Sequence, residues 1–314
     1  MSGSDIEIVR YTPKLKQTWD DFVESSKNGT FLLNRSYMDY HAEKFEDYSL
    51  LIYRKGKLYC LLPANKKEDV IFSHGGLTYG GLIMNEKCTS VGVLEVFDAL
   101  IQKAEKEGVS KIIYKPVPHI YHSIPSEEDL YALFRNNAKL IERNISCTLS
   151  QSHRLKFSNL RQRMIKKSKK ENVTVEFSND FPSFWKILED NLKLKYGSVP
   201  VHSLSEMEYL SNAFPENIKL CVARINGEMK GGVVCYITKE VIHMQYISAN
   251  EEGKKSGAID AIIKFLIDEY SHIPYFDLGT SNGNGGKYLN DTLIHQKEGF
   301  GGRGICYDIY ELKI

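Results

Sequence analysis

The stretch Asn217-Ile-Lys-Leu-Cys-Val-Ala-Arg-Ile-Asn-Gly227-Glu-Met-Lys-Gly-Gly-Val-Val-Cys-Tyr236, with Glu240-Val-Ile-His-Met-Gln-Tyr246 after it, decides the fold class. It reads as an apolar strand, a two-residue turn at Asn226-Gly227, a returning strand, a second turn and a third strand. Asn-Gly supplies the positive φ that tight hairpin loops need, so an antiparallel meander is expected. An earlier stretch echoes it: Asp47-Tyr-Ser-Leu-Leu-Ile-Tyr-Arg-Lys-Gly56-Lys-Leu-Tyr-Cys-Leu-Leu-Pro63, followed by Asp69-Val-Ile-Phe-Ser73.

Working outward, each meander is followed by a helical period and a short strand. Val93, Val96, Phe97, Leu100, Ile101 and Ala104 line one side of 91–106, and Ile259, Ile262, Ile263, Phe265, Leu266 and Tyr270 do so over 258–270. Strands follow at 111–114 and 275–278. The order β-β-β-α-β thus occurs twice, and a tandem duplication is the economical account. Helical preludes are expected over 18–25 and 36–45, and again over 181–195 and 205–214, the last opened by the capping-box pattern Ser203-Leu-Ser-Glu206. The expected fold is therefore α+β, in two tandem domains, 1–150 and 151–314. Each is a mostly antiparallel sheet flanked by helices, and the seam falls in the polar stretch 146–158.

Composition excludes several classes. With 42% hydrophobic and 26% charged residues the chain is ordinary globular protein rather than disordered or coiled-coil. The 41 basic and 40 acidic residues nearly cancel, which removes any bulk electrostatic case for wrapping nucleic acid but permits a local patch. No run approaches the roughly 20 apolar residues that span a bilayer. Met1 to Arg10 lacks the basic-then-apolar order of a secretory signal, so a cytoplasmic location with no membrane span is expected. The six cysteines show no CxxC pair and are read as buried, reduced thiols; no two histidines have HxxxH spacing, and no metal is expected.

One local patch exists. Residues 154–170 carry Arg154, Lys156, Arg161, Arg163, Lys166, Lys167, Lys169 and Lys170 with no acid. Phe157, Leu160 and Met164 give the segment an apolar stripe, so it reads as a surface helix, either simply solvated or presented to phosphate or RNA.

Glycine concentrates at the carboxyl end, at 279, 283, 285, 286, 299, 301, 302 and 304, interleaved with Thr280, Ser281, Asn282, Asn284 and Asn290. Glycine brings no side-chain burial and the largest backbone entropy cost, so core packing is not its expected role; turns, or close approach of main chain to a ligand, are. Within it, Lys297-Glu-Gly-Phe-Gly-Gly302 places a lysine at a strand–turn boundary, able to steady an oxyanion or hold a carboxylate or phosphate, or else to pair with an acid in solvent. Strict alternation over 241–248 puts His243, Gln245 and Ile247 on one face and Ile242, Met244 and Tyr246 on the other. His243 is a candidate general base or a structural hydrogen-bonder; Asp277 is a base or the cap of the next turn.

Together the strands around His243 and Asp277, the helix between them and the Asn290…Lys297-x-Gly-Phe-Gly pattern resemble the GNAT acyl-CoA N-acyltransferase superfamily, and within it the FemAB-like proteins. The basic segment Leu160 to Val173 is similar to the one that opens the second domain in that group. The resemblance covers most of 155–314 and, over 1–150, rests on the repeated topology. It implies transfer of an acyl or aminoacyl group, from acyl-CoA or aminoacyl-tRNA, to an amine on a small-molecule or lipid-linked precursor of cell envelope, peptidoglycan or polysaccharide. Acyl-CoA is the donor favoured by the near-neutral charge, tRNA binding through 154–170 is the alternative, and a non-catalytic protein that binds a nucleotide-sugar or a partner is a further one. The resemblance puts the cofactor pyrophosphate on Lys254, Lys255, Ser256 and Gly257, where lysine opens the motif and Ile259 replaces its last small residue. It places Lys297 near the acyl-transfer centre; His243 and Asp277 are the candidate bases, directly or through water, and Gly279, Ser281, Asn282, Asn290, Tyr246 and Phe300 the candidate substrate contacts.

Overall fold

The computed structural model describes residues 5–314. The chain divides into two compact units: unit 1 holds the chain up to Asn144 with Gly283–Tyr288 and Cys306–Ile314, and unit 2 holds Ile145–Asn282 and Leu289–Ile305. Unit 1 contains β1 (Ile6–Arg10), α1 (Lys16–Ser25), α2 (Arg35–Met38), β2 (Glu46–Asp47), β3 (Leu50–Arg54), β4 (Lys57–Leu62), β5 (Asn65–Lys67), β6 (Val70–Phe72), β7 (Ile83–Met84), α3 (Ser90–Lys106), β8 (Lys111–Tyr114) and α4 (Glu128–Arg135). After β9 (Lys139–Ser150) come α5 (Asn159–Lys170), β10 (Thr174–Ser178), α6 (Phe181–Tyr196), α7 (Leu204–Ala213), β11 (Ile218–Ile225), β12 (Glu228–Ile237), β13 (Val241–Ala249), α8 (Glu251–Ser256), α9 (Ala258–Glu269), β14 (Tyr275–Thr280), β15 (Asn282–Gly283), β16 (Tyr288–Leu289), α10 (Asp291–Glu298) and β17 (Arg303–Lys313). The class is mixed α and β with mostly antiparallel sheets, as the alternation of strand and helix periods requires.

Both hairpin turns have their central residues at positive φ, Lys55 and Gly56 at 50° and 70°, Asn226 and Gly227 at 51° and 82°. That is the backbone of a type I′ turn, whose twist matches the strands it joins. In unit 2 the meander forms as expected, and the strand order is β10-β11-β12-β13-β14-β9. Every pair is antiparallel except β13–β14, which is parallel because α9 crosses between them. Ile262, Ile263 and Leu266 of α9 pack on Val233, Cys235, Ile242, Met244, Phe276 and Leu278, burying one face of that sheet.

Unit 1 departs from the expected meander. β3 and β4 pair with each other and with β1 and β7, whereas β6 leaves them to pair with β5 and, in parallel, with β8. Pro63 follows β4 and has no N–H to continue a ladder, and the chain changes sheet there. The helix expected over 36–45 is one turn of α2 followed by 3₁₀ turns over Asp39–Lys44, broken at His41. Cys306 is exposed, unlike the other five cysteines, because its place in β17 faces outward.

The basic segment becomes helical only from Asn159, where the Ser158 hydroxyl accepts from the Arg161 N–H as N-cap. Two of its cations are spent internally. Arg154 donates to Gln151 Oε1 and the Ile267 carbonyl, and Arg161 donates to Asp260 Oδ1 at 2.8 Å with both side chains largely buried. Burial pushes the Asp260 carboxyl up against the opposing pull of Arg161. Arg161→Met should therefore lower unfolding free energy by about 3 kcal/mol, since it strands a buried carboxyl. Arg161→Met/Asp260→Leu should recover most of it. Urea denaturation of the two variants checks this, and a loss no larger than that of a surface substitution would show that the pair does not seat α5.

Candidate active site

β13 and β14 share pairing only over Val241–His243 and Tyr275–Asp277. Past that rung the ladder stops. β13 bulges at Gln245, where the β12 register slips between Val234 and Cys235, and Gly279 of β14 enters the left-handed region at φ 79°. A bulge adds one residue and reverses the phase of alternation beyond it. Hence Tyr246 lies on the His243 face, its ring against Trp185 of α6 at 5.3 Å, while Ile247 joins Ile242 and Met244 in the apolar cluster. This corrects the strict alternation expected from sequence.

Asp277 is fully buried at the end of the paired rung. Its Oδ1 accepts from the hydroxyls of Ser146 and Thr148 (2.9 Å for the latter) and from the Gly279 N–H at 3.3 Å. Its Oδ2 faces His243 Nδ1 at 2.8 Å. A carboxylate only accepts, so the imidazole proton sits on Nδ1 and the Nε2 lone pair is turned away from Asp277. Among the described residues no hydrogen bond engages Nε2, and the side chain keeps 16% of its surface exposed, enough for a substrate to reach it. Ser146 and Thr148 stand where the sequence leads one to expect the start of a polar seam, and the structure has the end of β9 instead. Their alternation with the buried Cys147 and Leu149 is a strand signal, and β9 presents both hydroxyls to Asp277.

Lys297 reaches the same place from α10. It stands in a helix rather than at a strand–turn boundary, and Asn290 caps that helix by accepting from the Leu293 N–H at 3.0 Å. The ammonium donates to the carbonyls of Gly279 (2.8 Å) and Thr280 (2.7 Å), which uses two of its three N–H bonds. Burial lowers its pKa to about 8, against the opposing influence of Asp277 and Cys147. Gly279 is what His243 and Lys297 share. A Cβ placed there would lie 3.6 Å from His243 Cε1 and 3.9 Å from Lys297 Nζ, with the Met244 carbonyl oxygen at 3.7 Å. The absent side chain leaves room for about one methyl-sized group, a small hollow between an imidazole and an ammonium.

The remaining expected residues have varied places. Ser281 is buried with its hydroxyl unbonded, its N–H on the Ile145 carbonyl and its own carbonyl taking the Asn290 N–H. Asn282 Oδ1 accepts from the Ile145 N–H at 2.6 Å. Tyr246 accepts from the His202 N–H, and Phe300 packs edge-on against Phe157 within the apolar cluster. Much of the glycine-rich tail serves packing after all: a Cβ on Gly302 would meet Cys147 Sγ at 2.4 Å, so only glycine lets β17 enter beside β9's thiol.

Lys254 bonds Asn191 and Glu251, Lys255 is exposed, and the Ser256 hydroxyl donates to the Gly253 carbonyl. Gly257 joins α8 to α9, and a Cβ there would lie 2.5 Å from the Met164 carbonyl oxygen of α5. Asp260 stands in the first turn of α9 beside that carbonyl's helix. The glycine thus lets α5 pack closely on this turn, and the Asp260 carboxylate beyond it is taken up by Arg161. In unit 1 the rung of the parallel pair that closes β6 against β8 joins Phe72 to Ile113, both apolar. Among the described residues no group of three or more His, Cys, Asp or Glu could hold a metal ion, and no helix is long and apolar enough to cross a membrane.

No protein-family model and no curated protein matches the sequence. Solved structures do match the fold. FemX is similar over 98% of this chain and 97% of its own, with TM-score 0.69 and 11% identity. The C-terminal domain of a putative lysylphosphatidylglycerol synthetase from Agrobacterium fabrum matches over 96% and 92%, with TM-score 0.61 and 8% identity. A tandem GNAT protein from the clavulanic acid biosynthesis pathway matches over 98% of each chain, with TM-score 0.50 and 9% identity. The chain has a FemAB-like, GNAT-type fold.

The desolvated ammonium has a consequence that needs no substrate. Lys297 holds its proton less tightly folded than unfolded, so between about pH 8 and its ordinary 10.5 the unfolded chain binds more protons and stability rises with pH. Relative to Lys297→Met, the wild-type chain should gain up to about 3 kcal/mol across that window. Urea unfolding at pH 7.5, 9 and 10 measures it; a constant difference would mean the ammonium is solvated.

Proposed function

We propose that the protein is an acyl-group transferase whose chemistry takes place in unit 2, passing an acyl or aminoacyl group from an activated donor to an amine on a cell-envelope or polysaccharide precursor. The observation that carries this reading is the convergence of an oriented imidazole and a buried ammonium at Gly279. The acceptor nitrogen attacks the donor carbonyl carbon, and His243 Nε2 takes the proton it sheds. The third N–H of Lys297 meets the oxygen that becomes negative, and its two carbonyl bonds hold it there without reorganisation. As the tetrahedral adduct collapses, the bond to the leaving group breaks and the proton passes from Nε2 to that group. No covalent enzyme intermediate is needed.

The two donors expected from sequence make different demands. An acyl-CoA would seat its pyrophosphate at the α9 terminus, beside the turn on which α5 packs and the Arg161–Asp260 pair. A second observation favours the aminoacyl-tRNA version. Lys156, Arg163, Lys166, Lys167, Lys169 and Lys170 are exposed without an acidic partner, and four of them, at 163, 166, 167 and 170, share one face of α5. An unpaired cationic helix face suits the phosphates of RNA. Localisation in the cytoplasm, where both donors occur, accords with either version.

Lys297→Ala should lower transfer by roughly 100- to 1,000-fold and His243→Ala by a similar factor, measured with acetyl-CoA and with aminoacyl-tRNA against a panel of amino-sugar and peptide amines. Consumption of no donor by the wild-type chain would overturn the reading. For the donor, tRNA affinity should fall steeply with salt, and the fourfold variant Arg163→Gln/Lys166→Gln/Lys167→Gln/Lys170→Gln should flatten that slope by three to four units. An unchanged slope would return the donor to acyl-CoA.

A further inference from the structure

Resting on the transferase reading, we propose that the same centre also acylates oxygen nucleophiles, a sugar or polyol hydroxyl when one is bound and water when none is, so that the enzyme makes esters and hydrolyses its donor.

The argument starts from what a nucleophile must lose. A free amine attacks with its lone pair and gives its proton to the base once the new bond has formed, before the adduct can collapse forward. A hydroxyl is a poor nucleophile until its proton leaves, and it needs a base in place at the moment of attack. The centre is built for the second demand. Asp277 is gripped by Ser146, Thr148 and Gly279 and orients His243 through Nδ1, which leaves Nε2 as an aligned proton acceptor. Such a carboxylate–imidazole pair is the arrangement that activates a hydroxyl in acyl transfer on unrelated scaffolds.

Charge points the same way. An amine acceptor arrives in water as an ammonium, and a site selective for it would show a free carboxylate. Here the charged group that borders the hollow is the Lys297 ammonium, and the acid acting on it is Asp277, whose oxygens are already engaged by the hydroxyls, the Gly279 N–H and the imidazole. A hydroxyl or a water enters neutral and meets no repulsion. Gly279 keeps a bulkier side chain out of its way: a Cβ there would already touch His243 Cε1 at 3.6 Å and lie 3.9 Å from Lys297 Nζ.

The step balances without any further reagent. The O–H bond of the acceptor breaks to Nε2 as its oxygen bonds to the donor carbonyl carbon, and the carbonyl electron pair moves to the oxygen facing Lys297. Collapse returns that pair, breaks the bond to the leaving group and sends the proton from Nε2 to it. The products are an ester, or an acid when water attacks, and the protonated leaving group.

The test uses the full-length chain with p-nitrophenyl acetate as donor, following release of p-nitrophenol with water alone, with glycerol and with glucosamine, and identifying acetylated products by mass. The comparison variant is His243→Asn, whose amide N–H still donates to Asp277 but which has no basic nitrogen; a matching melting temperature confirms that it folds. Release in water roughly 100-fold above the variant, with acetylglycerol formed in the glycerol reaction, is the expected result. Equal release by the two proteins, with His243-dependent acetylation of the glucosamine nitrogen alone, would overturn this inference and leave the amine transferase standing. No His243-dependent consumption of donor by any acceptor would remove both.

Discussion

The hydrogen bond from His243 Nδ1 to Asp277 Oδ2 is made across the last rung that β13 and β14 share, and the geometry of the site depends on it. Two parallel strands that continued side by side would bury that rung in a ladder. Here they stop pairing, with a bulge on one side and a left-handed glycine on the other, and the imidazole keeps part of its surface exposed while its partner carboxylate is buried. A fully buried carboxylate is tolerable only when its oxygens are satisfied, and β9 does that by sending in Ser146 and Thr148 from the far side. Three strands thus converge on one side chain.

Lys297 is held by a different economy. Its ammonium is taken out of water, which lowers its proton affinity, and is pinned to two consecutive carbonyls, which leaves one N–H unused. The helix that carries it is oriented by Asn290 at one end and by tight glycine packing at the other. Substituting Gly302 would push β17 off Cys147 and so disturb the lysine from a distance. Gly279 joins both halves of the centre, because its carbonyl receives the ammonium while its N–H supports Asp277.

The duplicated topology places a parallel strand pair in each unit, yet only unit 2 has polar residues on the closing rung. In unit 1 Phe72 and Ile113 occupy it, and the chain beyond β4 changes sheet at Pro63. One copy of the fold carries a hydrogen-bonded base and the other an apolar contact. α5 shows a related division of labour within a single helix: Arg161 is buried on Asp260 to seat the helix on α9, while the lysines on the opposite side stay in solvent.

Local chemistry by itself determined the elements. Asn226-Gly227 and Lys55-Gly56 could only be tight turns, the apolar periods of 91–106 and 258–270 could only be helices with one buried face, and the alternating runs between them could only be strands. Those signals also drew notice to His243, Asp277 and Lys297. The tertiary structure decided everything that depends on phase and partnership. The bulge at Gln245, which reverses the face of Tyr246, adds a residue that no composition reveals, because a bulge is a property of two strands in register rather than of one. Ser146 and Thr148 could not be assigned to Asp277 from sequence, since more than a hundred residues separate them and only the placement of β9 against β14 brings hydroxyl to carboxylate. The hollow over Gly279 has the same origin: it is the absence of one side chain, given meaning by what two other elements place around it.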